Sequence, residues 1–446
     1  MRKPLDTLVV GAGISGLAYA HHRLERDPDS DLVVVDASAR AGGLIETIAV
    51  DEPAGVRFEA GPETISDPAG VARALCEELG LERVVAPVTR RYLVSRGAVV
   101  ALPTSPRALL SSPLLPFGAR LRLLTEPLRR RGVALDGSIA DFVRHRLGQR
   151  VLDTLVEPML AGIHAGDPEQ LSLRACFPAL VQGMREHGTL LAWARSLRGE
   201  TDVADRTPWK PAGGMSALPN ALARALGRRL RLGTPVTGLE RSPGADGWRV
   251  TLGGAERLAA RRVVLALPLR ATQRLLERVA PEASRLLASQ GAEGLIVVPH
   301  LWPRDRVAHA LDGFGYLVPA KERLSHLGTL FASSLDPSSA PANVVVLRTL
   351  LGGARDRSAL EASDAELLAT VRREVGPLLG LRGSPLLASV HRHPAALPTF
   401  DLDHPGRLAR LADVLPDGIV LLGNHQRGIG LSSLLEEARR ASGPGS

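Results

Sequence analysis

The strongest constraint on this chain lies near its start. The apolar run Leu8-Val9-Val10 leads into Gly11-x-Gly13-x-x-Gly16, and Leu17 to Leu24 reads as the start of a helix. A second strand-like run, Asp31 to Val35, then ends at Asp36. A glycine triplet alone is weak, but one that leaves a strand, opens a helix and precedes an acidic residue at the next strand's end specifies a dinucleotide-binding βαβ unit. Gly11 permits the tight turn, Gly13 lets backbone amides approach a pyrophosphate, and Gly16 allows close helix–strand packing. The helix N-terminus, at Ile14 and Ser15, stabilises the anion. Asp36 can accept hydrogen bonds from a ribose diol, and no arginine stands immediately beside it for a 2′-phosphate.

Two features tilt the dinucleotide from NAD towards FAD. Arg40-Ala41-Gly42-Gly43 gives a second close-approach turn beside the same cofactor, and no second Gly-x-Gly-x-x-Gly follows to seat a nicotinamide. A bound flavin without a site for reduced nicotinamide gives its electrons to oxygen or a quinone, which points to an oxidase or dehydrogenase.

Composition narrows the class. With 446 residues, 45% hydrophobic and 23% charged, the chain is an ordinary globular one. At about 100–200 residues per domain it holds two or three structural units. Only 3% aromatic residues argues against a stacking platform for single-stranded nucleic acid. Cys76 and Cys176 are the only cysteines, which excludes a disulfide framework and a thiolate-rich metal site. Of the 55 basic residues all but Lys3, Lys210 and Lys321 are arginine, within a net charge of +8. Codon usage or attraction to an anionic substrate or membrane surface would explain that excess, and no nucleic-acid partner is expected. The longest apolar stretches, such as Val263 to Leu269, fall far short of the ~20 residues that span a bilayer. Met1-Arg2-Lys3-Pro4 leaves no room for a leader, so a cytoplasmic protein is expected, with peripheral contact on the cytoplasmic face of the inner membrane as an option.

The expected architecture is α/β. A Rossmann-type FAD-binding domain is assembled from residues 1–90, 209–270 and 411–446. A helical insertion at 91–208 carries membrane and substrate contacts, and residues 271–410 form a mixed α+β substrate domain. Strand-like runs at Trp248 to Leu252, Arg262 to Ala266, Val344 to Leu347 and Ile419 to Leu422 support this division, as does a last helix from Leu431.

At this level the chain resembles the protoporphyrinogen oxidase branch of the flavin amine oxidase superfamily. The segments that carry the resemblance occur in the family's order. They are Gly11 to Leu17 with Val35 to Ser38, Phe58 to Glu63, Leu75 to Leu81, and Ala161 to Ser172. Lys210 to Leu218, Gly313 to Pro319, Leu327 to Phe331, Leu422 to Asn424 and Gly428 to Gly430 complete the set. The resemblance implies FAD, oxygen as electron acceptor, and a porphyrinogen oxidised to a porphyrin, with a homodimer left open. It adds Ala37, Gly61, Pro62, Val236, Ala266, Gly423, Asn424, Gly428, Ile429 and Gly430 to the cofactor residues. The flavin carries the hydride transfer, so no catalytic side chain is expected.

For the substrate, the resemblance implies Arg91 on a propionate, Leu317 and Leu330 on either side of the macrocycle, and Gly162 where backbone approaches it. A surface arginine, two core leucines and a plain turn are the competing readings. Leu350 stands where well-known members carry a stacked phenylalanine, a loss of ~0.5–1.5 kcal/mol. That departure leaves coproporphyrinogen III oxidation, or a tailoring oxidase or desaturase, beside the leading reading of protoporphyrinogen IX. A non-catalytic flavoprotein or porphyrin carrier is the remote alternative. His425-Gln426-Arg427 also departs from the family, with Arg427 placed either to neutralise a reduced flavin or to meet solvent. His391, His393 and His404 lack a further ligand at metal spacing, and His21-His22 in the first helix read as exposed or half-buried and not as ligands, so no metal is expected. Leu109 to Arg131 mixes apolar residues with Arg122, Arg129, Arg130 and Arg131. It is either a membrane-dipping segment or an ordinary amphipathic helix on the substrate domain.

Overall fold

The structure is a computed structural model, and it describes residues 3–103, 108, 111–128, 135–197, 207–242 and 247–443. The strand Leu5–Val10 turns at Gly11 into the helix Ile14–Arg26. Leu32–Val35 lies parallel beside that strand, from Thr7 opposite Leu32 to Val10 opposite Val35. On its other side runs the long strand Arg257–Leu265, parallel from Leu5 opposite Ala260 to Val10 opposite Leu265. The far end of Arg257–Leu265 pairs with Ile419–Leu421, and its near end with Trp248–Leu252. Val236–Arg241 and Leu230–Arg231 complete a seven-stranded sheet built from the beginning, middle and end of the chain. Both faces are covered, which explains the unbroken apolar runs. Leu17, Leu222 and Leu435 pack on one face; Trp248, Leu287 and Leu411 pack on the other.

An eight-stranded sheet forms the second layer system. Its spine is the antiparallel pair Ala292–Pro303 and Val344–Gly352. His326–Leu330, Gly313–Leu317, Arg90–Ser95 and Ala98–Ala101 follow outward in that order. His391–Pro398 lies on the other side of Ala292–Pro303.

Two stretches differ from the sequence expectation. Residues 91–101, expected within the helical insertion, belong to the hairpin of Arg90–Ser95 and Ala98–Ala101, because Arg90–Ser95 pairs in parallel with Gly313–Leu317, far away in sequence. The helices Leu269–Leu276, Pro281–Ala288 and His404–Val414 pack through Leu276, Leu287 and Leu411 into the core of the nucleotide sheet, although they lie within or beside 271–410.

From Phe117 to Ser196 the described residues are mainly helical. They pack about Phe142, Leu160, Leu171 and Met184. Among the described residues, no helix is long and apolar enough to cross a membrane.

Candidate active site

The fingerprint turn sits at the carboxyl ends of the parallel strands, where open α/β sheets bind ligands. Gly11 has φ +113°, and a Cβ there would meet the Ala266 carbonyl oxygen at 2.2 Å. A Cβ on Gly16 would lie 2.0 Å from the Gly11 oxygen, so helix and strand are in contact. Gly13 is different: a Cβ there would meet nothing within 4 Å. That open cradle faces the start of a helix with no side-chain cap and no acidic residue in its first turn, which leaves its amides for an anion. Gly42 bridges Gly13 and donates its N–H to the Ala12 carbonyl at 2.8 Å. The Arg40 guanidinium holds that turn through the Gly43 and Ile45 carbonyls at 2.8 and 2.9 Å.

Asp36 accepts from the Ala12 N–H at 2.6 Å and the Ser38 N–H at 2.7 Å, one on each carboxylate oxygen. Each oxygen keeps a lone pair for a hydroxyl. Thr234 donates to the Asp36 carbonyl and Gly233 to that of Ser38, which ties the turn before Val236 to the end of the second strand. Leu422 donates to the Leu265 carbonyl, and a Cβ on Gly423 would lie 3.5 Å from the Leu267 carbonyl, one residue beyond Ala266. Asn424 donates its side-chain amide to Ala396, and Gly430 opens a second uncapped helix, Leu431–Ala441. Gly428 packs on Ser433, with Ile429 half-buried beside it. The donors, the cradle and the free carboxylate lone pairs fit a dinucleotide.

The second sheet turns one face towards this region. Successive residues of a strand alternate in direction, and directly opposed residues share a face. Leu317 opposes Gly328, Gly328 opposes Leu350, and Leu350 opposes Val297, forming one lateral row. In the next row Leu330 lies between Gly315 and Arg348. Leu317, Leu330 and Leu350 are all half-buried. A Cβ on Gly162, in the helix Glu157–His164, would lie 2.8 Å from Leu317 Cδ2, so this helix closes over the row. The same face meets the Ala60-Gly61-Pro62 loop. Arg348 donates Nη2 to the Gly61 carbonyl at 2.5 Å, and His393 Nε2 lies 2.7 Å from the Ala60 carbonyl.

Arg91 lies at the edge of this face, with its guanidinium 4.8 Å from the Phe314 ring centroid. It is exposed, and among the described residues it has no carboxylate partner.

A buried charge network was missed from sequence. Lys210 Nζ donates to Glu63 at 2.8 Å, with Glu59 at 3.6 Å and Asp336 at 3.8 Å. Arg348 Nη1 donates to the other Glu63 oxygen at 2.6 Å, and Arg57 reaches Asp336 at 3.1 Å. Burial would raise the Glu63 carboxyl, but Lys210 and Arg348 hold it below the usual range. Burial pulls Lys210 down, and Glu63 and Glu59 outweigh it, leaving the amine raised. Burial pushes Glu59 up. Two signals were available: Arg348 is the one charge inside Val344–Gly352, and a buried charge requires a partner. Lys210 is likewise one of three lysines and sits between Trp209 and Pro211.

His425 is fully buried, neither ring nitrogen has a hydrogen-bond partner among the described residues, and burial lowers its pKa to about 4. Arg427 is exposed with Nε 3.9 Å from Glu437, so it meets solvent and that acid. His391 bonds Ser389 and His404 bonds the Gln426 carbonyl. His21, His22 and Glu25 place ligand atoms within 4.8 Å of one another on the first helix, where His21 is half-buried and His22 is buried instead of exposed.

Residues 14–441 match the flavin-containing amine oxidoreductase family. Human protoporphyrinogen oxidase is 32% identical, over 98% of this chain and 97% of that protein. The mitochondrial protoporphyrinogen oxidase of Nicotiana tabacum is 29% identical over 97% and 93%. A solved structure from Exiguobacterium sp. 255-15, assigned as a protoporphyrinogen oxidase, superposes with a TM-score of 0.85. It covers 98% of this chain and 97% of that one at 23% identity, a likeness of fold. The chain therefore belongs to the flavin-containing amine oxidoreductases, in the protoporphyrinogen oxidase family, and is an FAD-dependent oxidoreductase.

Proposed function

We propose that this chain oxidises protoporphyrinogen IX to protoporphyrin IX in haem and tetrapyrrole biosynthesis, by successive hydride transfers to FAD with oxygen as acceptor. The observation that carries this reading is the apolar face of Leu317, Leu330 and Leu350, closed by Gly162 and joined by Arg348 to the Gly61 loop. The names of the relatives point the same way.

When bound, FAD supplies the hydride acceptor. Gly11, Gly13, Ile14, Ser15, Gly16 and Asp36 hold its pyrophosphate and ribose. The Gly42-Gly43 and Gly61-Pro62 turns, Val236, Ala266 and the 423–430 loop line the rest of the cofactor. The chain's own part is to orient the macrocycle and exclude water. The leucines supply flat apolar contact, while Arg91 takes a propionate as a two-pronged partner. Arg348, on the same face, commits both terminal nitrogens to Glu63 and Gly61. That favours a substrate with two carboxylates over coproporphyrinogen III, which carries more.

Peripheral membrane contact belongs to the same reading. Phe117, Leu121, Leu124 and Leu128 recur at helical spacing, and Phe117 and Leu128 are 77% and 83% exposed. Arg129, Arg130 and Arg131 lie outside the described residues.

Oxygen uptake and porphyrin fluorescence on both porphyrinogens test the proposal. Protoporphyrinogen should turn over faster. Flavin-loaded protein that consumes no oxygen with either would assign a non-catalytic flavoprotein instead.

A further inference from the structure

Behind the proposed leucine wall, on the opposite side of the same sheet, runs a chain of buried side-chain hydrogen bonds. Trp302 Nε1 donates to His300 Nδ1 at 2.7 Å, and His300 Nε2 lies 2.9 Å from Thr349 Oγ1. Thr349 Oγ1 lies 2.9 Å from Thr329 Oγ1, which donates to Tyr316 OH at 3.0 Å. Tyr316 OH lies 3.1 Å from His326 Nε2, and His326 Nδ1 lies 2.7 Å from Glu374. His300, Thr349, Thr329, Tyr316 and His326 are all at most 2% exposed.

The direction of every bond follows. His300 accepts at Nδ1, so its Nε2 carries the proton and donates to Thr349. Thr329 spends its proton on Tyr316, so Thr349 donates to Thr329. Tyr316, having accepted from Thr329, passes its own proton to His326 Nε2, and His326 Nδ1 faces the Glu374 carboxylate. Each proton is used once, and the run points one way from Trp302 to Glu374. Burial lowers His300 to about 3, which keeps it neutral. Burial would raise the Glu374 carboxyl, but the bond from His326 outweighs it and holds the acid ionised.

The placement of this chain relative to the wall is regular. Tyr316 precedes Leu317, Thr329 precedes Leu330, and Thr349 precedes Leu350. Tyr316 opposes Thr329 and Thr329 opposes Thr349 in the strand register. Three adjacent strands are therefore stitched together at the residue next to each wall leucine. The backbone ladder sets the spacing of these strands but leaves their local twist soft, whereas a fully satisfied buried polar network selects one arrangement.

We propose that Thr349, Thr329 and Tyr316 are positioning residues for the substrate, fixing the spacing and tilt of the Leu317–Leu330–Leu350 wall from behind. The proposal rests on the reading of those leucines as the wall. Loss of a link should weaken substrate binding and leave FAD binding alone, because the links lie away from the nucleotide cradle.

The test uses the FAD-loaded full chain with protoporphyrinogen IX. Thr349→Val keeps the shape and removes the hydroxyl, Thr349→Ser keeps the hydroxyl, and Tyr316→Phe breaks the next link independently if Thr349→Val does not fold. KM should rise about three- to thirtyfold in Thr349→Val and Tyr316→Phe at unchanged kcat and flavin content, since contacts made equally before and in the transition state act on KM. Thr349→Ser should return KM close to wild type. A wild-type KM in Tyr316→Phe, or a Thr349→Ser no better than Thr349→Val, overturns the proposal. Leu350→Ala separates the two readings. If it raises KM while the link variants do not, only the positioning role fails; if it leaves KM unchanged, the wall itself fails.

Discussion

Arg348 and Glu63 form a buried ion pair, 2.6 Å between Nη1 and Oε2, that fastens the substrate-side sheet to the loop beside the nucleotide fold. Each is less than a tenth exposed, and Lys210 binds the other Glu63 oxygen. Glu63→Gln would leave two buried cations short of an anion, a loss of ~3–5 kcal/mol. The pair is also acid-sensitive. Because Glu63 titrates below its unfolded value, its stabilisation is complete above the ordinary carboxylate pKa of about 4.3 and is lost as pH falls through the folded value. Melting temperatures across that range should fall more steeply for the wild type than for Glu63→Gln.

Gly13 and Gly16 should fail differently. A side chain at Gly13 meets only open space, and its φ of −71° suits any residue. Gly13→Val should thus leave the apoprotein's melting intact and abolish FAD binding by holding the backbone off the pyrophosphate. Gly16→Val would drive a side chain into the Gly11 carbonyl and should compromise folding itself. Flavin absorbance and apoprotein thermal unfolding, measured together, check both.

Arg91 is exposed and stacks on Phe314. Arg91→Ala should lower kcat/KM by a factor of about ten to over a hundred, matching one charge-assisted hydrogen bond of ~1.5–3 kcal/mol. Arg91→Lys should recover part of that, since an ammonium keeps the charge without the two-pronged fit. Flavin content should hold in both. An unchanged kcat/KM in Arg91→Ala returns the residue to the surface.

Glu437 lies in the last helix, where burial raises its carboxyl to about 7 against the partial help of Arg440 and Arg427. The folded state binds a proton there that the unfolded state releases near pH 4.3, so this group's contribution to stability falls as pH rises from about 4.3 to 7. Glu437→Gln should match the wild type near pH 4 and exceed it by ~3–4 kcal/mol at pH 8. Denaturant unfolding at the two pH values measures this directly.

The nucleotide fold was legible because its signal is local: Gly11, Gly13, Gly16 and Asp36 belong to one βαβ unit, and spacing alone marks them as candidates. The leucine row was named only through resemblance. Nothing in the spacing of Leu317, Leu330 and Leu350 says that strand register gathers them on one face. The strand Arg90–Ser95 was read as the start of a helical insertion because its partner, Gly313–Leu317, is remote in sequence. Glu63, Lys210 and Arg348 were overlooked for the same reason, with hydrogen-bonded partners 147 and 285 residues apart. Local pattern reports how a segment folds; tertiary pairing decides which charges meet.

In the proposed reaction this chain takes hydride from a porphyrinogen onto its own FAD. Mixing the FAD-loaded protein with protoporphyrinogen IX under strict exclusion of oxygen, while recording flavin absorbance and porphyrin fluorescence, tests it most directly. The flavin should bleach as porphyrin-related fluorescence or absorbance develops, and admitting oxygen should restore the flavin and drive oxidation to completion. A flavin that stays oxidised with saturating protoporphyrinogen IX would contradict it.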